Sequence, residues 1–272
     1  MFKRIYLEIT DICNLECQFC FDKKGITLMS LKDIKNILPE LKLFTDYLYL
    51  HIKGEPTSHP EFAEILDECE KNKLQIIITT NGSYLKQIGE LLLNHLAIRQ
   101  INISLQSINY QRNIEEYLKM LEEFVNLNKK KIINLRLWTE EQNTKLDNFL
   151  KTEYNVLSNE IFNKKKLRNN LFISKESPFI WPNTKNKIIS NSNSCQGTIT
   201  QIGILVDGRI VPCCLDSKGV ISFGNIFTNT LREVLETNNF IEFRDKIKNH
   251  KKDHPLCMRC NFYKRRHYAK ND

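Results

Sequence analysis

Apolar residues in the first two thirds of the chain follow two alternating periods. Short apolar runs typical of strands cover residues 5–10, 47–52, 74–80, 98–105, 132–137 and 171–174. Between them, apolar residues recur every three or four positions, which predicts helices after Ser30, from about Pro60, and over 84–96, 114–128 and about 142–152. Strands and helices that alternate at this spacing predict βαβ units and a parallel sheet.

The number of these units limits the architecture. About six strand and helix units are too few for a complete eight-stranded barrel, so we expect an open or partly closed α/β sheet. In both architectures, ligand sites form from the loops at the carboxyl ends of the strands. The residues that directly follow each predicted strand are therefore the first candidates for a functional site.

The pattern changes after residue 174. The segment from Pro178 to Ser194 is rich in Lys, Asn and Ser and predicts a linker or a substrate-side loop, in which Phe179 and Trp181 either pack on the sheet or face substrate. Alternating apolar residues from 202 to 211 flank Asp207-Gly208, which predicts a hairpin with a two-residue turn. A helix is expected around residues 230–235. We predict three parts, residues 1–175, a linker at 176–193 and a small domain at 194–272.

Composition and charge narrow the class of protein. Of the 272 residues, 41% are hydrophobic and 26% are charged, which is typical of a globular protein. No apolar run reaches the roughly 18 residues of a membrane span, and the N-terminus has no signal-peptide pattern, so we expect a cytoplasmic protein without a membrane contact. The net charge of +8 permits anionic partners without requiring nucleic acid. The basic residues between 244 and 270 are typical of a solvated face.

The nine cysteines carry the candidate chemistry. In a reducing compartment they argue against a disulfide framework, and Cys69 falls on the apolar face of a predicted helix, as a core residue does. Cys13, Cys17 and Cys20 follow the first strand with C-x3-C-x2-C spacing, and thiolates suit zinc or iron–sulfur clusters. A zinc site needs a fourth ligand, whereas a cluster held by three cysteines leaves one iron open. Zinc, a disulfide with a spare thiol and coincidence remain alternatives.

A second group of cysteines lies near the C-terminus. The predicted hairpin delivers Cys213 and Cys214, and the pair Cys257 and Cys260 has C-x2-C spacing. Together with Cys195 these residues predict a four-thiolate site. Because adjacent side chains diverge, we take Cys213 as the ligand and Cys214 as a packing residue or an alternative ligand. Spacing alone does not separate an iron–sulfur cluster from zinc.

The first cysteine loop resembles the C-x3-C-x-aromatic-C loop of the radical S-adenosylmethionine (SAM) enzymes, with Phe19 in the aromatic position. The resemblance implies a partial (β/α)6 barrel over residues 1–175 and a 4Fe–4S cluster on Cys13, Cys17 and Cys20. In that family the open iron binds SAM, and reductive cleavage yields a 5'-deoxyadenosyl radical that abstracts a substrate hydrogen.

Other strand ends are similar to SAM-pocket positions of the same family. Lys53-Gly54-Glu55-Pro56 resembles a Gly-Gly-Glu-Pro motif that receives the SAM amino group, although Lys53 replaces the first glycine. The remaining positions that the resemblance places in the pocket are Thr80, Asn81, Ser104, Gln106 and Arg136. It implies that Ser104 bonds the ribose or carboxylate and that Arg136 pairs with the methionyl carboxylate. Gln106 stands where family members often have aspartate.

The C-terminal cysteines resemble the SPASM or twitch extension of the family. That resemblance implies one auxiliary 4Fe–4S cluster on Cys195, Cys213, Cys257 and Cys260, and a flavodoxin-like or ferredoxin-like electron donor. Because the first strand begins near residue 5, we expect no leader-binding domain, which weakens the case for a peptide substrate without excluding it and leaves a small polar metabolite open. The alternative is a non-catalytic module with two zinc sites and a basic tail for an acidic partner or nucleic acid. Nucleic acid is disfavoured because few aromatic residues are interleaved with the charges.

Overall fold

The computed structural model describes residues 1–20, 25–161, 163–178, 180–192 and 194–262. The predictions that concern Phe179 and the basic and aromatic residues from Tyr263 onward lie outside these ranges. Across the described ranges, no helix combines the length and the apolar character that a membrane span needs.

The described residues form nine strands and seven α-helices. The strands are β1 (Arg4–Leu7), β2 (Tyr47–Tyr49), β3 (Gln75–Thr80), β4 (Ile98–Ser104), β5 (Ile132–Leu137), β6 (Lys164–Arg168), β7 (Leu171–Lys175), β8 (Gln201–Ile204) and β9 (Ile210–Val211). The helices are α1 (Leu31–Phe44), α2 (Phe62–Lys71), α3 (Leu85–Asn94), α4 (Ile114–Leu127), α5 (Thr144–Tyr154), α6 (Leu231–Leu235) and α7 (Asn238–Lys248).

All nine strands of the described ranges belong to one mixed sheet in the order β6-β7-β5-β4-β3-β2-β1-β8-β9. The six predicted strands, β1 to β5 and β7, run parallel to one another in this sheet. The helices predicted over 84–96, 114–128 and 142–152 form with bounds shifted by no more than two residues. The predicted α/β fold, a partial barrel followed by a small cysteine-rich domain, is confirmed.

The core lies between the sheet and the helices. Alternate strand residues such as Ile5, Leu7 and Leu48 are fully buried against the apolar faces of the helices. Side chains cap the start of several of these helices. At the start of α1, for example, the Ser30 hydroxyl accepts the Asp33 N–H (3.1 Å). Cys69 is fully buried on α2, as its position on the apolar face predicts.

The structure differs from the sequence prediction in three elements. Strand β6 was not predicted, because four of its five residues are basic and show no apolar alternation. It pairs antiparallel with β7 at the sheet edge, where exposed lysines are common. Helix α7 was also not predicted. Helix α6 begins at Leu231, and Thr230, which was predicted to lie within it, is its N-cap.

The hairpin turn is one residue longer than predicted. The N–H of Gly208 donates to the Leu205 carbonyl (2.8 Å), and the Leu205 N–H donates to the Arg209 carbonyl (2.9 Å). The loop therefore has three residues, 206–208, and Gly208 takes the left-handed position at φ +84°. The prediction of a two-residue turn at Asp207-Gly208 was wrong, because the loop also contains Val206.

The C-terminal hairpin continues the sheet of the barrel. Strand β8 pairs in parallel with β1, from Arg4 opposite Gln201 to Leu7 opposite Ile204, and β9 pairs antiparallel with β8. This pairing brings Cys213 and Cys214, which follow β9, close to the first strand. The division of the chain at residues 175 and 194 stays a prediction.

Candidate cluster and cofactor sites

The face of the sheet opposite the helices is polar. Thr79, Asn102 and Asn134 lie opposite one another on β3, β4 and β5, and the Asn102 amide donates to the Thr79 hydroxyl (3.3 Å). Ser104 and Arg136 form the next pair toward the carboxyl ends of the strands. We call this surface the inner face, and its polar groups provide hydrogen-bond partners for a polar ligand.

The three cysteines of the first loop lie near one another beyond the carboxyl end of β1. Burial, followed by the nearby thiols of Cys20 and Cys13, raises the pKa of Cys17 to about 12. Burial and Cys13 likewise raise the pKa of Cys20 to about 11. Only the thiolate form of cysteine is a good metal ligand. A bound cation would therefore stabilise the three charged forms, which otherwise destabilise one another.

Asn81 connects this loop to the rest of the barrel. Its amide donates to the Asn14 side chain (2.8 Å) and to the Cys13 sulfur (3.8 Å). Its backbone carbonyl accepts the hydroxyl of Tyr117 on α4 (3.1 Å). A residue fixed on both sides in this way holds Cys13 in a defined orientation, so in the structure Asn81 supports the cysteine loop.

Gly54 and Glu55 fix the loop after β2 against the cysteine loop. Gly54 has φ +68°, and a Cβ atom at this position would lie 2.3 Å from the Thr10 carbonyl oxygen. The Glu55 N–H donates to the Ile12 carbonyl (2.8 Å). The Glu55 carboxylate is 2% exposed and accepts the Asn81 N–H (2.6 Å) and the Thr57 hydroxyl (2.6 Å). Glu55 therefore braces two loops, and a contact between its carboxylate and SAM stays a proposal.

Thr80 lies on the opposite side of β3 from the inner face, and its predicted contact with SAM stays a prediction. It is buried, its hydroxyl accepts the Gly82 N–H (3.0 Å), and it hydrogen-bonds with Glu55. The neighbouring Thr79 reaches the inner face, where its hydroxyl also accepts from Arg136 (3.4 Å). The side chain of Thr79 is better placed than that of Thr80 to meet a ligand there.

The other predicted pocket residues lie at the carboxyl end of β4 and on β5. Ser104 is half-buried at the end of β4, opposite Arg136. The Arg136 guanidinium stacks on the Trp138 ring, 3.4 Å from its centroid. Within the described ranges, the Gln106 side-chain oxygen is buried without a hydrogen-bond partner. A buried acceptor that the protein leaves unsatisfied fits a site where a ligand supplies the donor.

Phe19 marks the outer edge of the cysteine loop. Its ring packs edge-to-face against Tyr110 at 6.1 Å and is 38% exposed. The indole N–H of Trp181 donates to the Phe19 carbonyl (3.1 Å). The segment predicted as a linker therefore returns to the first cysteine loop, and Trp181 contacts that loop directly.

Sequence reasoning missed an aromatic and basic cluster on the inner face. The rings of Tyr6 and Tyr49 lie 4.9 Å apart, the His51 ring lies 5.7 Å from Tyr6, and Arg4 stacks over Tyr49 at 5.6 Å. Burial, followed by the charge of Arg136, lowers the pKa of His51 to about 3, so the imidazole is neutral at pH 7. In the described ranges His51 Nδ1 and Arg4 Nε are buried without hydrogen-bond partners. Both atoms are suited to meet a ligand.

Sequence reasoning also did not single out Glu8. It is 1% exposed at the end of β1. Its carboxylate accepts the Lys53 N–H (2.9 Å) and the Val206 N–H (3.1 Å). One side chain thus joins the loop after β2 to the C-terminal hairpin.

Glu8 should make stability depend on pH. Burial raises its pKa from 4.5 to about 7, although both N–H donors and Lys53 oppose that rise. The folded protein therefore binds this proton more tightly than the unfolded chain, so the free energy of unfolding falls as pH rises. We expect a loss of about 2 kcal/mol from this group between about pH 5.5 and pH 8. Urea unfolding of Glu8→Gln should lack this slope, while Glu64→Gln, at an exposed site, should keep it. An unchanged slope in Glu8→Gln would contradict the assignment.

The second group of cysteines surrounds a cavity. Cys195, Cys213, Cys257 and Cys260 all line a space of about 340 Å³, part of it open to solvent. Burial raises the pKa of Cys213 well above its usual value, and the thiols of Cys214, Cys195, Cys260 and Cys257 add to the rise. The four predicted ligands, from three separate segments, are therefore close neighbours.

Cys214 points away from this cavity. Its thiol forms a hydrogen bond with the Tyr6 hydroxyl, and its sulfur packs at the edge of a small apolar cluster with Ile52 and Leu205. Burial raises the pKa of Cys214 to about 11, opposed by Tyr6 and by the charge of Arg4. The structure thus turns Cys213 toward the cavity and Cys214 toward the inner face, as the divergence of adjacent side chains predicts.

The donor chemistry of both groups fits iron–sulfur clusters. The four C-terminal thiols line one cavity, and four thiolates are the ligand set that a 4Fe–4S cluster requires. The three thiols of the first loop match a cluster with one iron left for another ligand.

Comparisons with known proteins agree with this assignment. Residues 7–146, just over half of the chain, match the model of the radical SAM superfamily. Residues 195–261 match the SPASM model, described as an iron–sulfur cluster-binding domain. These two regions contain the first and second cysteine groups respectively.

Curated relatives match over a limited segment. A tungsten-containing aldehyde ferredoxin oxidoreductase cofactor-modifying protein of Pyrococcus furiosus is 38% identical over 104 residues, covering 33% of this chain and 28% of that protein. A GTP 3',8-cyclase of Alkaliphilus oremlandii is 33% identical over 116 residues, covering 38% of this chain and 34% of that protein. The match thus spans about a third of each relative.

Solved structures share the fold over nearly the whole chain. BtrN in complex with AdoMet and 2-DOIA has a TM-score of 0.59 at 18% identity, covering 96% of this chain and 93% of that one. Streptococcus suis SuiB bound to the precursor peptide SuiA has a TM-score of 0.61 at 19% identity, covering 97% and 70% respectively. The chain belongs to the radical SAM superfamily, with a SAM-binding 4Fe–4S cluster and a C-terminal SPASM domain for auxiliary iron–sulfur chemistry.

Proposed function

We propose that this protein reductively cleaves SAM at the first cysteine group and uses the resulting 5'-deoxyadenosyl radical to oxidise or modify a polar substrate. Cys13, Cys17 and Cys20 would hold the SAM-binding cluster, and Cys195, Cys213, Cys257 and Cys260 the auxiliary cluster. Gly54, Glu55, Asn81, Ser104, Gln106 and Arg136 are proposed to shape the SAM pocket, with Phe19 at its edge. The observation that supports this best is the close approach of the three first-loop thiols beyond the carboxyl end of β1, together with the polar inner face of the same sheet.

The groups on the inner face favour a substrate with an anionic group. Arg4 is half-buried there, and its guanidinium lies over the Tyr49 ring at 5.6 Å. Guanidinium groups bind carboxylate and phosphate well, and aromatic rings beside them provide an apolar wall. A small acidic metabolite or an acidic peptide segment fits this chemistry.

The electron that starts the reaction would come from a partner protein in the cytoplasm. We propose a flavodoxin-like or ferredoxin-like donor that docks near the first cysteine loop. Phe19 and Leu28 are partly exposed close to this loop. Apolar residues of this kind are suited to a transient contact with another protein.

The proposal is tested by substrate-dependent formation of 5'-deoxyadenosine. Reconstituted protein would be incubated anaerobically with SAM, dithionite and an extract of the source cells, separated on an anion-exchange column into retained and unretained fractions. We expect the retained, anionic fraction to increase 5'-deoxyadenosine at least about tenfold over protein and SAM alone. Stimulation only by the unretained fraction would refute the anionic substrate, and the absence of any reductant-dependent product would refute SAM cleavage itself.

A further inference from the structure

A lysine is buried in the wall of the second cysteine cavity. Lys252 is 3% exposed and lines the same space as Cys195, Cys213, Cys257 and Cys260. Its backbone N–H donates to the Asn191 carbonyl (2.7 Å), which fixes this segment against the end of the linker. The thiolates that would hold a cluster lie in the same wall, so the ammonium group and the cluster ligands share one cavity.

The lysine lies beside two of the proposed ligands, Cys257 and Cys260, in the wall of this cavity. Asp216 lines the same cavity with the opposite charge, and its carboxylate accepts the Val220 N–H (2.9 Å) and the Ile221 N–H (2.8 Å). The cavity thus holds one buried cation and one buried anion beside the ligand set.

We propose that Lys252 raises the reduction potential of the auxiliary cluster held by Cys195, Cys213, Cys257 and Cys260. Reduction adds one negative charge to this cavity, and a buried ammonium lowers the electrostatic cost of that charge. Net charge near the sulfurs and exclusion of solvent are established controls of iron–sulfur potentials. Lys252 acts through the cluster ligands and is a tuning residue rather than a catalytic one.

This tuning favours a net oxidation of the substrate. When the 5'-deoxyadenosyl radical takes a hydrogen atom from a C–H bond, the substrate radical still holds one electron more than a two-electron-oxidised product. Lys252 makes the auxiliary site a better acceptor for that electron, and the accompanying proton leaves to solvent. This consequence depends on the proposed function, whereas the effect of Lys252 on the potential depends only on the cluster being bound.

The test is a potentiometric titration followed by electron paramagnetic resonance. It would use the full chain with Cys13, Cys17 and Cys20 replaced by alanine, so that only the auxiliary cluster contributes to the signal. In Lys252→Met we expect the reduction equilibrium to move at least about tenfold toward the oxidised form, which is about 59 mV for one electron. Lys252→Arg keeps the charge and should stay close to the parent. Lys251→Met, at the exposed neighbouring position, should leave the potential unchanged because solvent screens its charge.

The anion in the same cavity gives an opposite test. Asp216→Asn removes a negative charge and should move the potential upward. Iron analysis of each variant separates loss of the cluster from a change in its potential. If Lys252→Met retains its iron and has the potential of Lys251→Met, the proposal is wrong. If Lys252→Met loses its iron, the proposal stands only if Asp216→Asn shifts the potential upward while Lys252→Arg matches the parent.

Discussion

Replacing Cys17 with alanine should abolish reductant-dependent formation of 5'-deoxyadenosine. Cys17 is the middle ligand of the proposed SAM-binding cluster, and its pKa responds to both Cys13 and Cys20. Two thiolates hold a cubane cluster far less well than three, and without its open iron SAM has no binding partner for its amino and carboxylate groups. The measurement is mass spectrometry of anaerobic assays with SAM and dithionite.

Two other cysteines provide controls for this variant. Cys69→Ala removes a thiol that is fully buried in the core of α2, and SAM cleavage should persist. Cys257→Ala disturbs the auxiliary site, and we expect some SAM cleavage to continue without coupling to substrate. If Cys17→Ala cleaves SAM as fast as Cys69→Ala does, the assignment of the first cysteine group is refuted.

Replacing Gly54 with alanine should reduce SAM cleavage on the order of 100-fold, because a small displacement at a reacting site can cost this much. The new Cβ would lie 2.3 Å from the Thr10 carbonyl and 2.9 Å from the Ile12 carbonyl, so the cysteine loop or the loop after β2 must move. The left-handed φ of +68° adds backbone strain for any L-residue. Steady-state 5'-deoxyadenosine formation and iron content would be measured together.

A second strained glycine separates local from general effects. Gly224 has φ +153°, and a Cβ there would lie 2.9 Å from a methyl group of Val234, in the C-terminal part of the chain. Gly224→Ala should therefore lower the free energy of unfolding while leaving SAM bound at the first site. Equal loss of SAM cleavage in both variants would mean that Gly54 acts through overall stability alone.

The sequence predicts the fold well where burial repeats along the chain. Buried residues such as Leu48 in β2 and Ile65 in α2 belong to apolar patterns that repeat with the period of a strand or a helix. Such a local pattern is enough to identify the element. The first cysteine group and the pair of Cys257 and Cys260 could be predicted because the spacing of ligands within one loop is a local property. Cys213 and Cys214 illustrate this, since their divergence follows from their adjacency.

The role of the inner face could not be predicted from the sequence, because it depends on how the sheet curves and which side of each strand faces a ligand. Tyr6, Tyr49 and His51 alternate with buried residues, which is also the pattern of a strand with one side in water. Neighbouring strand residues point to opposite faces, so a shift of one residue decides whether Thr79 or Thr80 lies on the inner face. The resemblance to a family did not determine this shift. Glu8 is harder still, because one of its partners, Val206, lies 198 residues away in the chain.

The most direct test is metal analysis and electron paramagnetic resonance of the full chain after anaerobic reconstitution. Two 4Fe–4S clusters predict about eight iron atoms per chain and a brown protein whose reduced spectrum contains two overlapping signals. Replacing Cys13, Cys17 and Cys20 with alanine should remove about half of that iron and leave the auxiliary signal. A colourless protein that binds about two zinc ions and no iron would contradict the assignment of both sites.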